Sequence, residues 1–299
     1  MTRIARFTWF VLGFNVVVIL LGSVVRATGS GAGCGRSWPT CQGQVVPDLE
    51  GSTAVEYLHR SASGIALLLV FALAIAVWRT TDRGHPARLG AGLAAAAIVG
   101  EALIGAMIVL AEWVADDVSV ARAIAVPLHL VNTLFLLASL TLTAFWLSGG
   151  GRLEPGRDRR VTRVVVAGGV ALILIAATGA ITALADTLFP KEAGADLTAQ
   201  SHFLTDLRII HPILAVVVAL LGWWLASRSP GGRDRLGTLL PVLVGVMLLS
   251  GVMNVFLKAP LWMQIVHLAL ADALWVTYVW TSARALQSSA MESRLSPSR

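Results

Sequence analysis

Residues 7–25 read FTWFVLGFNVVVILLGSVV, a run without a single Asp, Glu, Lys or Arg. A hydrocarbon core of about 30 Å takes roughly 20 apolar residues of helix per crossing, and this run alone nearly supplies them. Further charge-free runs cover residues 61–78, 123–151, 164–185, 209–227 and 236–257. Residues 89–111 and 259–283 are each interrupted by one acid, Glu101 and Asp272. Eight spans follow, and because lipid offers no partner to backbone N–H and C=O groups they must be helical. The composition agrees: 56% of the 299 residues are hydrophobic and 13% charged, where a soluble domain carries about 25% charged residues. A water-soluble globule is excluded, and the fold class is an all-α membrane protein.

The formal charge of +6 raises nucleic acid as a partner, but the positions of the cations answer otherwise. Most of the 23 Lys and Arg fall before the first span, after the second, fourth and sixth, and in the C-terminal tail. Acids such as Asp48, Glu50, Glu112, Asp116, Asp117 and Asp186 fall on the opposite side. By the positive-inside rule both termini are cytoplasmic in a multi-pass protein of the cell membrane. The basic excess is a topology signal, and no nucleic acid is expected. The first span is too long for a signal-peptide core and Val24-Val25-Arg26 offers no small-residue cleavage site, so it reads as retained. Trp9, Trp113, Trp146, Trp262 and Trp280 lie near span ends, as an interfacial belt would.

Spans one to four repeat as spans five to eight when Gly22 is placed on Gly179, Gly105 on Gly251, His59 on His211 and His129 on His267. The clearest pieces are Ile104-Gly105-Ala106-Met107 against Ser250-Gly251-Val252-Met253, and Leu128-His129-Leu130 against Val266-His267-Leu268. An even number of spans per half gives both halves the same orientation. The expected organisation is two pseudo-symmetric four-helix bundles: residues 1–148, a cytoplasmic linker 149–163, residues 164–286, and a disordered polar tail 287–299.

Of six histidines, His85 and His202 lie in loops, and the other four occupy the even spans, two per half. Each falls within about three turns of the outer end of its helix, so all four share one depth. A polar side chain inside a span is costly and points to function, although any one could be a His hydrogen-bonded to a neighbouring helix. Two imidazoles facing across a four-helix bundle can clamp a haem iron from both sides. His59 with His129, and His211 with His267, would make two such sites. Structural zinc wants four ligands at one point, and a proton-coupled transporter would show broken helices at mid-membrane.

One turn before His59 stands Glu56; one turn before His211 stands Arg208. Residues three apart share a helix face. A guanidinium suits a haem propionate, whereas a carboxylate would repel one and can act as a base. The first half therefore reads as a reaction site and the second as an electron-transfer site; the plain alternative is Glu56 as helix N-terminal decoration. Arg60 could serve propionates or snorkel to the interface. Glu101 and Asp272 must each find a donor or stay protonated. The two cysteines, Cys34 and Cys41, sit in the first outer loop, in an oxidising compartment that favours a disulfide. Its closure would be worth about 2.5 kcal/mol in the chain-entropy model; free thiols or an exchanging redox pair are the other readings.

The run Gly22-Ser-Val-Val-Arg-Ala-Thr-Gly-Ser-Gly31, followed by Cys34, Trp38-Pro39, Cys41 and Gly43, resembles the first outer loop of haem A synthases. Glu56-Tyr-Leu-His-Arg60 is similar to that family's second-helix motif, and Ala177-Thr-Gly-Ala180 with Ala185-Asp186 to its fifth-helix counterpart. The resemblance spans nearly the whole chain. It implies an oxidoreductase that converts the C8 methyl of haem O to a formyl by successive hydroxylations, giving haem A for aa3-type oxidases, with water as oxygen source. It implies His59 and His129 at the substrate haem, His211 and His267 on a haem b cofactor with Arg208 beside it, Glu56 in catalysis, and a Cys34–Cys41 disulfide. Haem O synthase and cytochrome oxidase assembly factors are the expected partners, besides membrane lipid. Some members carry a second cysteine pair between helices five and six; residues 185–206 have none. The competing reading is a dihaem b-type cytochrome, which needs the same histidines but has no use for a carboxylate in one half only.

Overall fold

The computed structural model describes residues 2–189, 203–227 and 235–287. His202 and the polar tail from residue 288 on lie outside them. Nine α-helices are present among the described residues: α1 (Arg3–Ala27), α2 (Gly51–Thr80), α3 (Ala87–Leu110), α4 (Val120–Leu147), α5 (Arg159–Leu188), the short α6 (Phe203–Leu207), α7 (Ile210–Ser227), α8 (Arg235–Phe256) and α9 (Leu261–Leu286). Eight segments are long and apolar enough to cross a membrane, with α6 and α7 running into one of them. The chain is a multi-pass membrane protein, and an even number of crossings returns it to the side from which it started.

Local chemistry sets the helix starts. Thr2 Oγ1 accepts from the Ala5 N–H at 3.2 Å at the head of α1, and Ser119 Oγ does the same for Arg122 at the head of α4. Asp158 caps α5, accepting from Arg160 N at 2.7 Å and Val161 N at 3.1 Å. Those N–H groups, Val161 first, hold its carboxyl below the usual carboxylate range. Inside the spans, hydroxyls are satisfied by their own helix: Thr8 donates to Ile4 O, Thr141 to Leu137 O and Thr143 to Ser139 O, at 2.6–2.9 Å. Three fully buried threonines thus need no partner from lipid.

The helix α2 starts at Gly51, ten residues before its apolar run, so Glu56, His59 and Arg60 lie on helix rather than in the loop. The α4 helix packs against α1, α3, α5 and α9, and Leu73, Leu137 and Leu140 are fully buried at the centre of the core. Trp146 is buried there too, its Nε1 donating to Gly151 O, so it is not the interfacial anchor expected of it. Residues 149–163 are anchored: Glu154 N donates to Leu286 O at 2.8 Å and Gly151 N to Gln287 Oε1 at 3.1 Å, at the end of α9.

Two polar ties join the halves. Trp275 Nε1 on α9 donates to Leu134 O on α4 at 2.8 Å. Arg26 on α1 donates through Nη1 to Ala183 O (2.6 Å) and Thr187 Oγ1 (2.5 Å) on α5, and through Nη2 to Gln264 Oε1 (2.7 Å) on α9. Hydrogen bonds to a charged donor contribute about 1.5–3 kcal/mol where water is scarce. Arg26→Met is therefore expected to lower the stability of the detergent-solubilised protein by about 2 kcal/mol or more. Denaturant unfolding followed by helix ellipticity measures this, and an unchanged midpoint would show that the Arg26 contacts do not hold the halves together.

Candidate functional site

The loop after α1 is fastened over the start of α2. A 3₁₀ turn (Ser30–Ala32) leads to Gly33, where a Cβ would stand 2.5 Å from the Ser52 carbonyl carbon and oxygen, so only glycine allows this approach. Cys34 and Cys41 form a disulfide and are buried. Buried Glu56 binds this loop: its Oε2 accepts from Cys34 N at 2.7 Å, and its Oε1 from Arg60 Nε and Nη2 at 3.1 and 2.5 Å. Arg60 completes the clasp by donating to Ser37 O and Thr40 O. Arg60 thus orders the loop and fixes the carboxylate, and it does so on the wall of the cavity that reaches His59.

The four span histidines sit on the four glycines that the repeat aligns. A Cβ on Gly22 would lie 3.0 Å from His59 Cε1, and one on Gly179 2.9 Å from His211 Cε1. The same construction on Gly105 reaches His129 Nε2 at 4.0 Å, and on Gly251 His267 Cε1 at 3.5 Å. Each imidazole therefore lies against a glycine notch on the preceding span, four times over. Sequence reasoning used those glycines only as alignment marks; their shared register with the histidines was the signal.

The ring nitrogens differ between the halves. His211 Nδ1 is 3.0 Å from Ile175 O, which can only accept, so Nδ1 carries the proton and Nε2 keeps a free lone pair. His267 Nδ1 is 2.7 Å from Ser250 Oγ. That hydroxyl donates its one proton to Met247 O at 2.8 Å, so it accepts from Nδ1 and again Nε2 is free. The two rings have centroids 6.4 Å apart and planes at 85°. A metal bonded to both at about 2 Å spaces ring centroids by about 6 Å, so this pair has the separation of a two-sided clamp. In the first half, the His59 ring lies near the Val18 carbonyl, the counterpart of Ile175, and its buried Nδ1 makes no hydrogen bond. His129 Nδ1 stands 2.9 Å from Glu101 Oε2, with the carboxylate off the line of a hydrogen bond.

Arg208, expected to stand alone beside His211, is also engaged. It donates to Ala185 O and Phe189 O, and its Nε lies 3.0 Å from Asp186 Oδ1. Each half thus holds an acid–guanidinium pair with one member a turn before its first span histidine, Glu56–Arg60 and Asp186–Arg208, and the contrast of sign expected from Glu56 against Arg208 is correspondingly smaller. A continuous cavity of about 2220 Å³ reaches His59, His129, His211 and His267 together with Glu56 and Arg122. A pocket for one ligand measures about 300–1,000 Å³, so this one has room for two large planar ligands. Arg122, which sequence reasoning did not single out, is 4% exposed, and its Nε has no partner. It is a buried cationic donor on the wall of a cavity suited to carboxylates.

The family model for cytochrome oxidase assembly protein matches residues 5–54 and 48–279. The chain is 46% identical over 300 residues to a protohaem IX farnesyltransferase of Thermus thermophilus, an alignment covering 97% of this chain and 49% of that protein. It is 31% identical over 179 residues to a haem A synthase of an Exiguobacterium species, covering 60% of this chain and 57% of the other. With a haem A synthase of Geobacillus kaustophilus it shares 33% over 156 residues, 49% of each chain. The chain spans about half the length of the relatives it matches.

The glycine notches yield a graded expectation. Gly22→Ala and Gly179→Ala push a methyl into the ring of His59 or His211; on the expectation that each histidine pair holds a haem, each should cost one of the two. Gly105→Ala and Gly251→Ala add only ordinary contacts and should cost none. Haem per chain after purification, read by its pyridine complex, measures this; equal losses at all four positions would remove the notches from the site.

Proposed function

The chain belongs to the cytochrome oxidase assembly protein family, and on that footing we propose that it is a haem A synthase. It oxidises the C8 methyl of haem O to a formyl for aa3-type oxidases. The observation that carries the reading is the pairing of four span histidines, each on its glycine, with His211 and His267 at clamp distance and their Nε2 atoms free. Methyl plus one water becomes formyl with release of four electrons and four protons, through a hydroxymethyl stage.

In this reading residues 1–148 take the substrate haem O between His59 and His129, and residues 164–286 hold a haem b between His211 and His267. The fixed Nδ1 partners in the second half suit a resident group, because they lock ring orientation and tautomer. Bound haem b would supply one-electron acceptance. Arg122, with its unpartnered Nε, and Arg208 are the guanidinia suited to propionates. Glu56 accepts three hydrogen bonds from Cys34 and Arg60, and a carboxylate has about four lone-pair directions. About one remains to accept from a water at the cavity wall. Arg60 fixes that direction, so Glu56 orients the water that becomes the formyl oxygen and takes up a proton as it reacts.

The Thermus relative's name supports a second reading, farnesyl transfer to protohaem. That reaction must stabilise a departing diphosphate, a task suited to a bound divalent cation. Among the described residues no three His, Cys, Asp or Glu gather as a metal-binding group. The histidine pairs favour haem oxidation.

Expression in a host that makes haem O but no haem A, followed by chromatography of extracted haems, is the test. Haem A should appear with this chain. Glu56→Gln should retain haem and lower haem A output by about 100-fold or more. Haem O formed by the purified chain from protohaem and farnesyl diphosphate would favour the second reading, and a chain that binds haem b but yields neither product would favour a dihaem cytochrome.

A further inference from the structure

Glu101 lies in the middle of α3, where an acid is costly unless it is used. Its two oxygens have different partners. Oε1 accepts from Asn132 Nδ2 at 2.6 Å, and Oε2 stands 2.9 Å from His129 Nδ1. Asn132 also donates to Ala97 O at 2.9 Å. With two acceptors on one nitrogen, the amide orientation is determined. A Cβ on Gly100 would stand 3.0 Å from Asn132 Oδ1, so a glycine beside Glu101 gives Asn132 its place against α3. The carboxylate is thus held in position by α4 and presented to the back of a histidine on that same helix.

None of the other three span histidines has an acid at this place. His211 has the Ile175 carbonyl, His267 the Ser250 hydroxyl, and His59 lies near the Val18 carbonyl. The repeat that places Gly105 on Gly251 places Glu101 on Met247, an uncharged residue. With Glu56–Arg60 and Asp186–Arg208 each an ion pair, Glu101 is the acid that has a counterpart in neither the residue type nor the contacts of the second half.

We infer that Glu101, braced by Asn132, is a positioning residue that makes His129 a stronger donor to iron than the other three histidines. The inference rests on the proposed haem reading of the site. Though it stands off the hydrogen-bond line, a carboxylate 2.9 Å from Nδ1 holds the ring proton by its charge, which a neutral carbonyl or hydroxyl does not. The imidazole then pushes more electron density through Nε2. Ferric iron is favoured over ferrous, and the haem between His59 and His129 has the lower reduction potential of the two. Electrons released in the first half therefore run downhill to the second, across the cavity the halves share.

The test is a potentiometric titration of the full chain carrying two haems, read in the visible spectrum. The wave belonging to the first half is identified as the one missing in His59→Ala. In Glu101→Gln that wave should rise by at least tenfold in the reduction equilibrium, about 59 mV for one electron. The other wave should stay in place, and Glu101→Asp should restore most of the shift. Should Glu101→Gln lose its haem, Met247→Glu supplies the mirror measurement and must lower the other wave. Unmoved waves in the haem-loaded variants would overturn the inference while leaving the proposed function standing. A wild-type chain that takes up no haem would overturn both, and the two failures look different in the spectrum.

Discussion

An imidazole inside a membrane has two ring nitrogens and no water to satisfy them, and this protein is arranged around that constraint. Each of the four span histidines has its ring beside a glycine on the preceding span, most closely His59 and His211, so backbone rather than a movable side chain borders it there. In the second half one nitrogen is committed to a protein acceptor, which leaves the other with its lone pair directed elsewhere. A histidine so held is a prepared ligand. The glycines make the close approach possible, since any Cβ at Gly22 or Gly179 would stand within 3.0 Å of the ring.

The rest of the architecture fastens the turns that carry His59 and His211. The disulfide loop, Glu56 and Arg60 form a clasp over the start of α2, so the turn of helix that carries His59 cannot unwind. In the second half Arg208 ties the turn before His211 to the end of α5. The same task, a guanidinium fastening the His-bearing turn, is thus performed by residues at different positions in the two halves. Arg26 and Trp275 then lock one half to the other, which makes a single cavity of two histidine pairs.

A large part of this was legible in the chain. The eight helices follow from apolar runs that need no knowledge of neighbours, and α1 to α5 and α7 to α9 lie where those runs lie. The repeat was visible because glycine and histidine are rare enough in apolar sequence to align. Less legible were the partners of charged residues. Arg60 read as a possible propionate ligand, yet its acceptors are a carboxylate one turn back and two carbonyls some twenty residues earlier in the loop. Glu101 read as an acid in need of a donor, which it is, but the identity of Asn132 and His129 depends on how α3 lies along α4. Trp146 read as an interfacial anchor because it ends a span, and packing buried it.

The amino-acid order by itself determined the eight membrane-length segments, the register of glycines with histidines and the placing of four histidines in spans, because hydrophobic length and residue chemistry are properties of a segment alone. Tertiary structure decided which nitrogen of His211 and His267 is free, which charges neutralise one another, and that Glu101 stands behind His129. Those are contacts between segments far apart in the chain, and their distances are set by helix packing, on which no local pattern reports.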